Sequence, residues 1–316
     1  MPGISKQDIV DAHDRIKPYI HNTPIFTSQS LNHIAGCELF FKCENFQKIG
    51  AFKIRGGMNA ALSLSATDLK KGLCTHSSGN HAQAIALAAR TLGTKAYIVM
   101  PENSPSVKVN AVREYGAEIT FCINTQEERE RALNKIAEAT GAHFIHPFDN
   151  DHVITGQATC AKEFIEENDS LDIVMAPVGG GGLLAGTSLA THYFLPAAIV
   201  IAGEPEGAAD AVLSFQSGKV ERAPYVKTIA DGLQTTLSIR TLGIIKEHVK
   251  NILVVGEEDI KSALKLVYER TKMIIEPSSA VPIAAVLAHK EYFSGQKVGI
   301  IITGGNVDLK RVSEWF

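Results

Sequence analysis

Short apolar runs alternate with longer amphipathic stretches along most of this chain, with turn residues between them. Ala96 to Met100 reads as a buried strand stopped by Pro101, and Ala117–Cys122 and His143–His146 read as strands of the same series. Between them the spacing predicts helices over Asn80–Leu92, Ser106–Tyr115 (closed by Gly116) and Gln126–Thr140. Nearer the start, Ser5-Lys6-Gln7-Asp8 has the form of a capping box opening a helix to about Tyr19. Leu39–Phe41 and Gly72–His76 then read as strands. A second series follows. It predicts helix Ile154–Glu167, strand Asp172–Val178, helix Leu183–Tyr193, strands Ala198–Glu204 and Ile252–Val255, helices Glu258–Lys272 and Ser278–Lys290, and strand Val298–Ile302.

Strands that alternate with helices build parallel sheets, so the predicted class is α/β. At ~100–200 residues per domain, the 316 residues suit two adjoining units. The expected division is a small unit over 70–149 inserted in a larger one made of 1–69 and 150–316, each with an open, twisted, mainly parallel sheet and a cleft between them.

Composition removes several classes. The chain is 45% hydrophobic and 21% charged, which excludes a disordered chain or a fibre. Its 31 basic and 34 acidic residues give a net charge of −3, so no basic excess points to nucleic acid or a membrane surface. A small polar or anionic metabolite is the expected partner. No run of ~18 apolar residues is present, and residues 1–20 lack the pattern of a signal peptide. The five cysteines are scattered and form no CxxC pair, as expected of reduced thiols in a cytoplasmic protein.

Three glycine-bearing turns follow predicted strands, where open α/β sheets bind ligands. In Val178-Gly179-Gly180-Gly181-Gly182-Leu183, four glycines before a helix expose backbone N–H groups at the positive helix end, which suits a phosphate. The same turn fits G-x-G-x-x-A through Gly180, Gly182 and Ala185, with Glu204 at the end of the next strand, so an NAD-dependent oxidoreductase is an alternative of another class. Ser77-Ser78-Gly79-Asn80-His81 offers hydroxyls, an amide and N–H groups at a helix start. It suits a carboxylate, or is simply a helix cap, and His81 alone reads as a structural hydrogen-bonding residue. Thr303 follows the last strand, in a turn that by itself is equally a plain loop. Lys53 sits where a helix begins after Phe46–Gly50. A positive helix end favours its neutral, nucleophilic amine, although spacing alone favours a solvated lysine.

These motifs occur together and in order: Phe41 to Lys48, Gly50-Ala51-Phe52-Lys53-Ile54-Arg55-Gly56, Ser77 to Gln83, Gly179 to Gly182, and Thr303 to Asp308. Over essentially its whole length the chain closely resembles the fold-type II pyridoxal-phosphate enzymes, and within them the serine racemase and serine/threonine dehydratase branch. Ile229-Ala230-Asp231-Gly232, Tyr268-Glu269-Arg270 and Ile275-Glu276-Pro277-Ser278 follow the racemase pattern.

The resemblance implies roles residue by residue. Lys53 carries the pyridoxal 5'-phosphate and acts as base on one face, Phe52 packs on its ring, and Asn80 bonds its ring hydroxyl. Gly179, Gly180, Gly181, Gly182 and Leu183 hold its phosphate, and Thr303 meets its ring nitrogen. Ser77, Ser78, Asn80 and His81 receive the substrate carboxylate with Arg129, and Ser78 is the acid–base group of the opposite face. Glu204, the Ala208 carbonyl and Asp210 are implied ligands of Mg²⁺, Ca²⁺ or Mn²⁺, in a segment otherwise readable as a solvated acidic turn. A homodimer and an ATP activator site around Ser28, Gln29, Ser30, Lys48, Ile49 and Arg270 are further family features. The implied activity is serine racemisation with serine dehydration, threonine being a further substrate. The alternative within the family is a dedicated serine, threonine or threo-3-hydroxyaspartate dehydratase.

Overall fold

The computed structural model describes residues 3–316. Ten strands form two sheets: β1 (Ile25–Thr27), β2 (Glu38–Cys43), β3 (Leu73–His76), β4 (Ala96–Pro101), β5 (Glu118–Cys122), β6 (His143–Phe144), β7 (Ile173–Pro177), β8 (Ile199–Pro205), β9 (Asn251–Val255) and β10 (Lys297–Ile302). One sheet has the order β1-β2-β10-β7-β8-β9, the other β5-β4-β3-β6. Every pairing is parallel except β1 with β2, where Phe26 opposes Phe41. The predicted α/β class with mainly parallel sheets is therefore the observed one.

Alternation along the strands explains how the large sheet is sandwiched. Ile173, Met175 and Ile201 belong to the core under helix Pro277–Ala288, whereas Val174, Ala176, Val200 and Ala202 face helices Asp151–Glu167 and Gly182–Phe194. Side chains of a strand point alternately to its two faces, so a strand apolar at every position is covered on both. Each fully buried Ile or Val contributes about 1.5–3 kcal/mol. On one face of the smaller sheet, Leu73, Ile98 and Met100 pack with Ala84, Ile85 and Ala88 of helix Asn80–Leu92 in a core shared with Ile54 and Met58 of helix Lys53–Leu62.

Helices Asn80–Leu92 and Gln126–Thr140 have the predicted bounds, and Ser5 with Asp8 forms the predicted capping box. Helix Asp151–Glu167 starts three residues before the predicted Ile154, because Asn150 caps it by accepting the Val153 N–H at 3.1 Å. β6 ends at Phe144, not His146, because the chain turns there into the cleft. The short β1 and the helices Gln29–Ala35, Asp210–Ser217, Ile239–His248 and Leu309–Trp315 have no counterpart in the pattern reading. Pro282 lies inside helix Pro277–Ala288. All five cysteines are free and buried, and burial pushes the Cys43 thiol up to about 12.

A buried ionic network fixes the start of helix Lys53–Leu62. Arg55 is fully buried and meets Glu44 at 2.8 Å and Glu163 at 2.9 Å, and Lys42 meets Glu163 at 2.7 Å. Burial alone would raise the Glu163 carboxyl, but His13, Arg55 and Lys42 hold it well below the usual range. The network ties β2 and helix Asp151–Glu167 to the turn that presents Lys53.

Candidate active site

The ends of β3, β7 and β10 and the start of helix Lys53–Leu62 converge on one cavity lined from both sheets. It brings together Phe52, Lys53, Ser77, Ser78, Asn80, His81, Arg129, Gly179, Gly180, Gly181, Gly182, Leu183 and Thr303. The residues expected to meet the cofactor and the substrate are thus in one place, whereas neither the metal set nor Ser28, Gln29, Ser30, Lys48, Ile49 and Arg270 line it. Glu204, Ala208 and Asp210 form a separate buried group at the end of β8 and the start of helix Asp210–Ser217.

Helix Gly182–Phe194 opens on the glycine turn, with its first N–H groups at the cavity wall. Side chains are excluded there by contact. A Cβ on Gly180 would stand 2.3 Å from the Phe148 ring, and Gly181 has φ +86° with Leu237 2.7 Å from where its Cβ would be. A turn that can carry no side chain, at a helix N-terminus, suits a phosphate.

Lys53 stands across the cavity. Its ammonium donates to the Pro147 carbonyl at 2.9 Å, and burial brings it down to about 8 against the opposing pull of Glu276. Phe52 is buried beside it, with the ammonium 5.2 Å from its ring centre.

Thr303 is buried, its hydroxyl 2.9 Å from that of Ser279. Ser279 accepts the Gly304 N–H at 3.0 Å and reaches the Gly304 carbonyl at 2.9 Å. That fixes the Thr303 hydroxyl on the cavity wall. Asn80 donates to both oxygens of Glu276, at 2.9 and 3.0 Å, and accepts from Asn306 at 2.9 Å. Its amide hydrogens therefore point at a carboxylate rather than freely into the cavity. Burial raises the Glu276 carboxyl, against the pull of Lys108.

On the small-sheet wall, the Ser77 hydroxyl accepts the Gly79 N–H at 3.2 Å, and Ser78 is half-buried. His81 is buried, with Nε2 3.0 Å from the Ile145 carbonyl and Nδ1 without a partner. Burial, followed by Lys53, holds it well below 6.5, so it is a neutral hydrogen-bonding residue. Arg129 donates to Asn124, but its buried Nε has no partner. An orphaned guanidinium N–H beside the cavity suits a carboxylate. His146 accepts the Asp149 N–H on Nδ1 at 2.8 Å, and burial, then His76, lowers it to about 4, so its proton sits on Nε2.

The donor set fits pyridoxal phosphate: a phosphate cradle, a primary amine near neutrality, an aromatic ring beside it and a fixed hydroxyl for the ring nitrogen. The metal set has a different character. Among the described residues no group of three or more His, Cys, Asp or Glu could hold a metal, so this site depends on the Ala208 carbonyl. Glu204 accepts the N–H groups of Ala211 at 2.6 Å and Val212 at 2.9 Å, and Asp210 Oδ2 is buried without a partner. Burial raises Glu204 to about 8 and Asp210 to about 7. Glu204 thus turns both oxygens onto the backbone of the next helix, which leaves it poorly placed for the ribose contact of a dinucleotide site.

The residues that pattern reading missed are Glu276, Ser279, Lys108, Asp231 and Phe148. Glu276 and Asp231 lay within quoted motifs, but nothing in spacing marks a residue as the partner of another.

The family model described as pyridoxal-phosphate dependent enzyme matches residues 16–304. The chain is 48% identical to the serine racemase of Dictyostelium discoideum, covering 99% of this chain and 98% of that protein. It is 46% identical to the β-hydroxyaspartate dehydratase of Paracoccus denitrificans, covering 97% of each. The structure of maize serine racemase superposes with a TM-score of 0.95 at 41% identity, over 98% of this chain and 95% of the other. The chain belongs to the pyridoxal-phosphate dependent enzymes.

Proposed function

We propose that this pyridoxal-phosphate dependent enzyme interconverts L- and D-serine and also dehydrates serine to pyruvate and ammonia. The observation that carries the reading is that Lys53, from the large-sheet side, and Ser78, from the loop after β3, line the same cavity. Racemisation needs proton exchange on both faces of the α-carbon, hence two groups on different walls.

When bound, the cofactor supplies an electron sink for the pair left at the α-carbon. The chain's own residues do the rest. The N–H groups of Gly179 to Leu183 would hold the phosphate, Phe52 would pack on the ring, and Asn80 would bond the ring hydroxyl once turned from Glu276. The Thr303 hydroxyl, held by Ser279, would face the ring nitrogen as a neutral partner, which would disfavour a long-lived carbanion and favour rapid reprotonation or β-elimination. Ser77, the Asn80 backbone N–H at the helix start and Arg129 would seat the substrate carboxylate, with neutral His81 bracing that turn. Lys53 takes the α-proton on its face, and Ser78 delivers one on the other. Incubation with L-serine, with D-serine and pyruvate measured together, tests this: pyruvate alone removes the racemase.

A second reading is dehydration of threo-3-hydroxyaspartate, or of serine and threonine, without racemisation. The orphaned Nε of Arg129 favours it, because an unpaired guanidinium N–H beside the cavity could take a second carboxylate. Turnover of hydroxyaspartate against serine distinguishes the two.

The reading extends beyond the cleft. The four strands of the small sheet all lie between residues 73 and 144, which supports a substrate-closing unit over 70–149 on a cofactor-binding unit of 1–69 and 150–316; residues 1–2 lie outside the described ones. Glu204, the Ala208 carbonyl and Asp210 would bind Mg²⁺, Ca²⁺ or Mn²⁺, which would give the unpartnered Asp210 oxygen a ligand and order the end of β8. A homodimer is supported by the exposed Phe26, Phe46 and Ile274, and light scattering tests it. ATP as an activator near Ser28, Gln29, Ser30, Lys48, Ile49 and Arg270 is tested by titration with Mg-ATP. Cytoplasmic location is supported by the five free thiols; among the described residues no helix is long and apolar enough to cross a membrane.

A further inference from the structure

Lys108 sits in the first turn of helix Ser106–Glu114 and is only 4% exposed. Two costs attend that position. A buried ammonium loses its hydration, and the first turn of a helix is the positive end of its dipole. Asp231, from the other side of the cleft, offsets them through a 2.6 Å ion pair. Asp231 takes one of the three N–H donors of the ammonium, and both residues line the cavity.

The lysine stem also lies on the turn that carries Ser78. A Cβ on Gly79 would stand 2.8 Å from Lys108 Cδ and 3.2 Å from its Nζ. The ammonium is thus packed on the residue next to Ser78. At its other end, Asp231 belongs to a 3-10 turn, Asp231–Leu233, that packs on the phosphate cradle: a Cβ on Gly179 would stand 3.0 Å from Leu233 Cα. Lys108 therefore joins the serine turn to the glycine turn across the cleft.

We propose that Lys108 is a positioning residue for Ser78: anchored on Asp231, it seats the Ser77–Asn80 turn against the cleft and places a fixed positive charge beside the Ser78 hydroxyl. The proposal rests on the racemase reading above. A serine hydroxyl is a weak base, and a cation nearby favours its oxyanion form over the neutral one. Burial would lower the Lys108 ammonium, but Asp231 and Glu276 raise it, so it stays charged. Groups acting on Lys53 alone do not need this charge, so its loss should fall on the Ser78 face.

The test uses the cofactor-loaded enzyme and L-serine. Lys108→Met should lower kcat for D-serine formation by ~100-fold, within the usual range for acid–base assistance, with KM changed less than ~5-fold. The D-serine to pyruvate ratio should fall about tenfold or more. Lys108→Arg should recover most of the ratio, and Gly79→Ala, which pushes the ammonium aside, should lower it in the same direction. An unchanged ratio in Lys108→Met overturns the proposal, even if total activity falls. If that variant does not fold, an unchanged ratio in Gly79→Ala does so instead. A wild-type enzyme that makes pyruvate and no D-serine overturns the racemase reading instead. Amide hydrogen exchange at 77–80 then decides on Lys108: faster exchange in Lys108→Met supports the anchoring role, and unchanged exchange removes it.

Discussion

The Lys53 ammonium donates to the carbonyl of Pro147 at 2.9 Å, across 94 residues of chain. The amine is thereby held over the cleft by the loop that follows β6, while Arg55, two residues on, anchors the same helix in the buried ionic network. If Lys53 is both the anchor for the cofactor and the base of one face, Lys53→Ala should lower turnover by roughly 10⁴-fold or more, as when a nucleophile that works as part of a unit is removed. Phosphate contacts should still retain some cofactor. Steady-state kinetics with ordinary turnover in this variant would end the assignment.

Burial also gives Lys53 a pH signature, with its ammonium brought down from 10.5 to about 8. The protonated amine has no lone pair, so capture of pyridoxal phosphate by the cofactor-free enzyme should quicken ~tenfold per pH unit below about pH 8 and level off above it. A solvated lysine would keep quickening to about pH 10.5. Stopped-flow absorbance separates these curves.

If Ser78 is the acid–base group of the second face, its removal should separate the two reactions. Ser78→Ala should abolish D-serine formation from L-serine and leave substantial pyruvate formation from L-serine. Elimination from D-serine should disappear too, since its α-proton lies on the serine face. Chiral chromatography alongside a pyruvate assay gives all three rates, and normal racemisation by the variant would make the enzyme's second base some other group.

A cation at Glu204, Ala208 and Asp210 should be structural. Chelation should lower both melting temperature and activity, Mg²⁺ should restore both, and Asp210→Ala should abolish the response. A melting curve indifferent to chelator and Mg²⁺ alike takes the metal out of the description.

The ionic network predicts a contrast in stability. Glu163→Ala leaves Arg55 and Lys42 buried without one of their acceptors and should cost about 3–5 kcal/mol. Glu118→Ala breaks only the exposed pair with Lys95 and should cost about 1 kcal/mol or less. Urea unfolding of both variants measures this, and equal midpoints would contradict it.

The sequence by itself determined the strand–helix alternation, the α/β class and the glycine turn before a helix, whereas the lysine and serine turns stood out only through the family resemblance. The first three are local signals. Apolar runs mark the buried strands, a run of four glycines exposes backbone N–H groups, and a cap sits within three residues of the group it caps, as Ser5 does with Asp8. Tertiary structure alone decided what holds those groups in working positions. Asn80 and its partner Glu276 are 196 residues apart, and Lys108 and Asp231 are 123 apart. It also decided that Glu204 spends both oxygens on helix Asp210–Ser217 and that His81 is neutral. Periodicity reports which face of an element is apolar, but a buried polar group finds its partner only when two sheets pack, and its charge depends on how much water that packing removes.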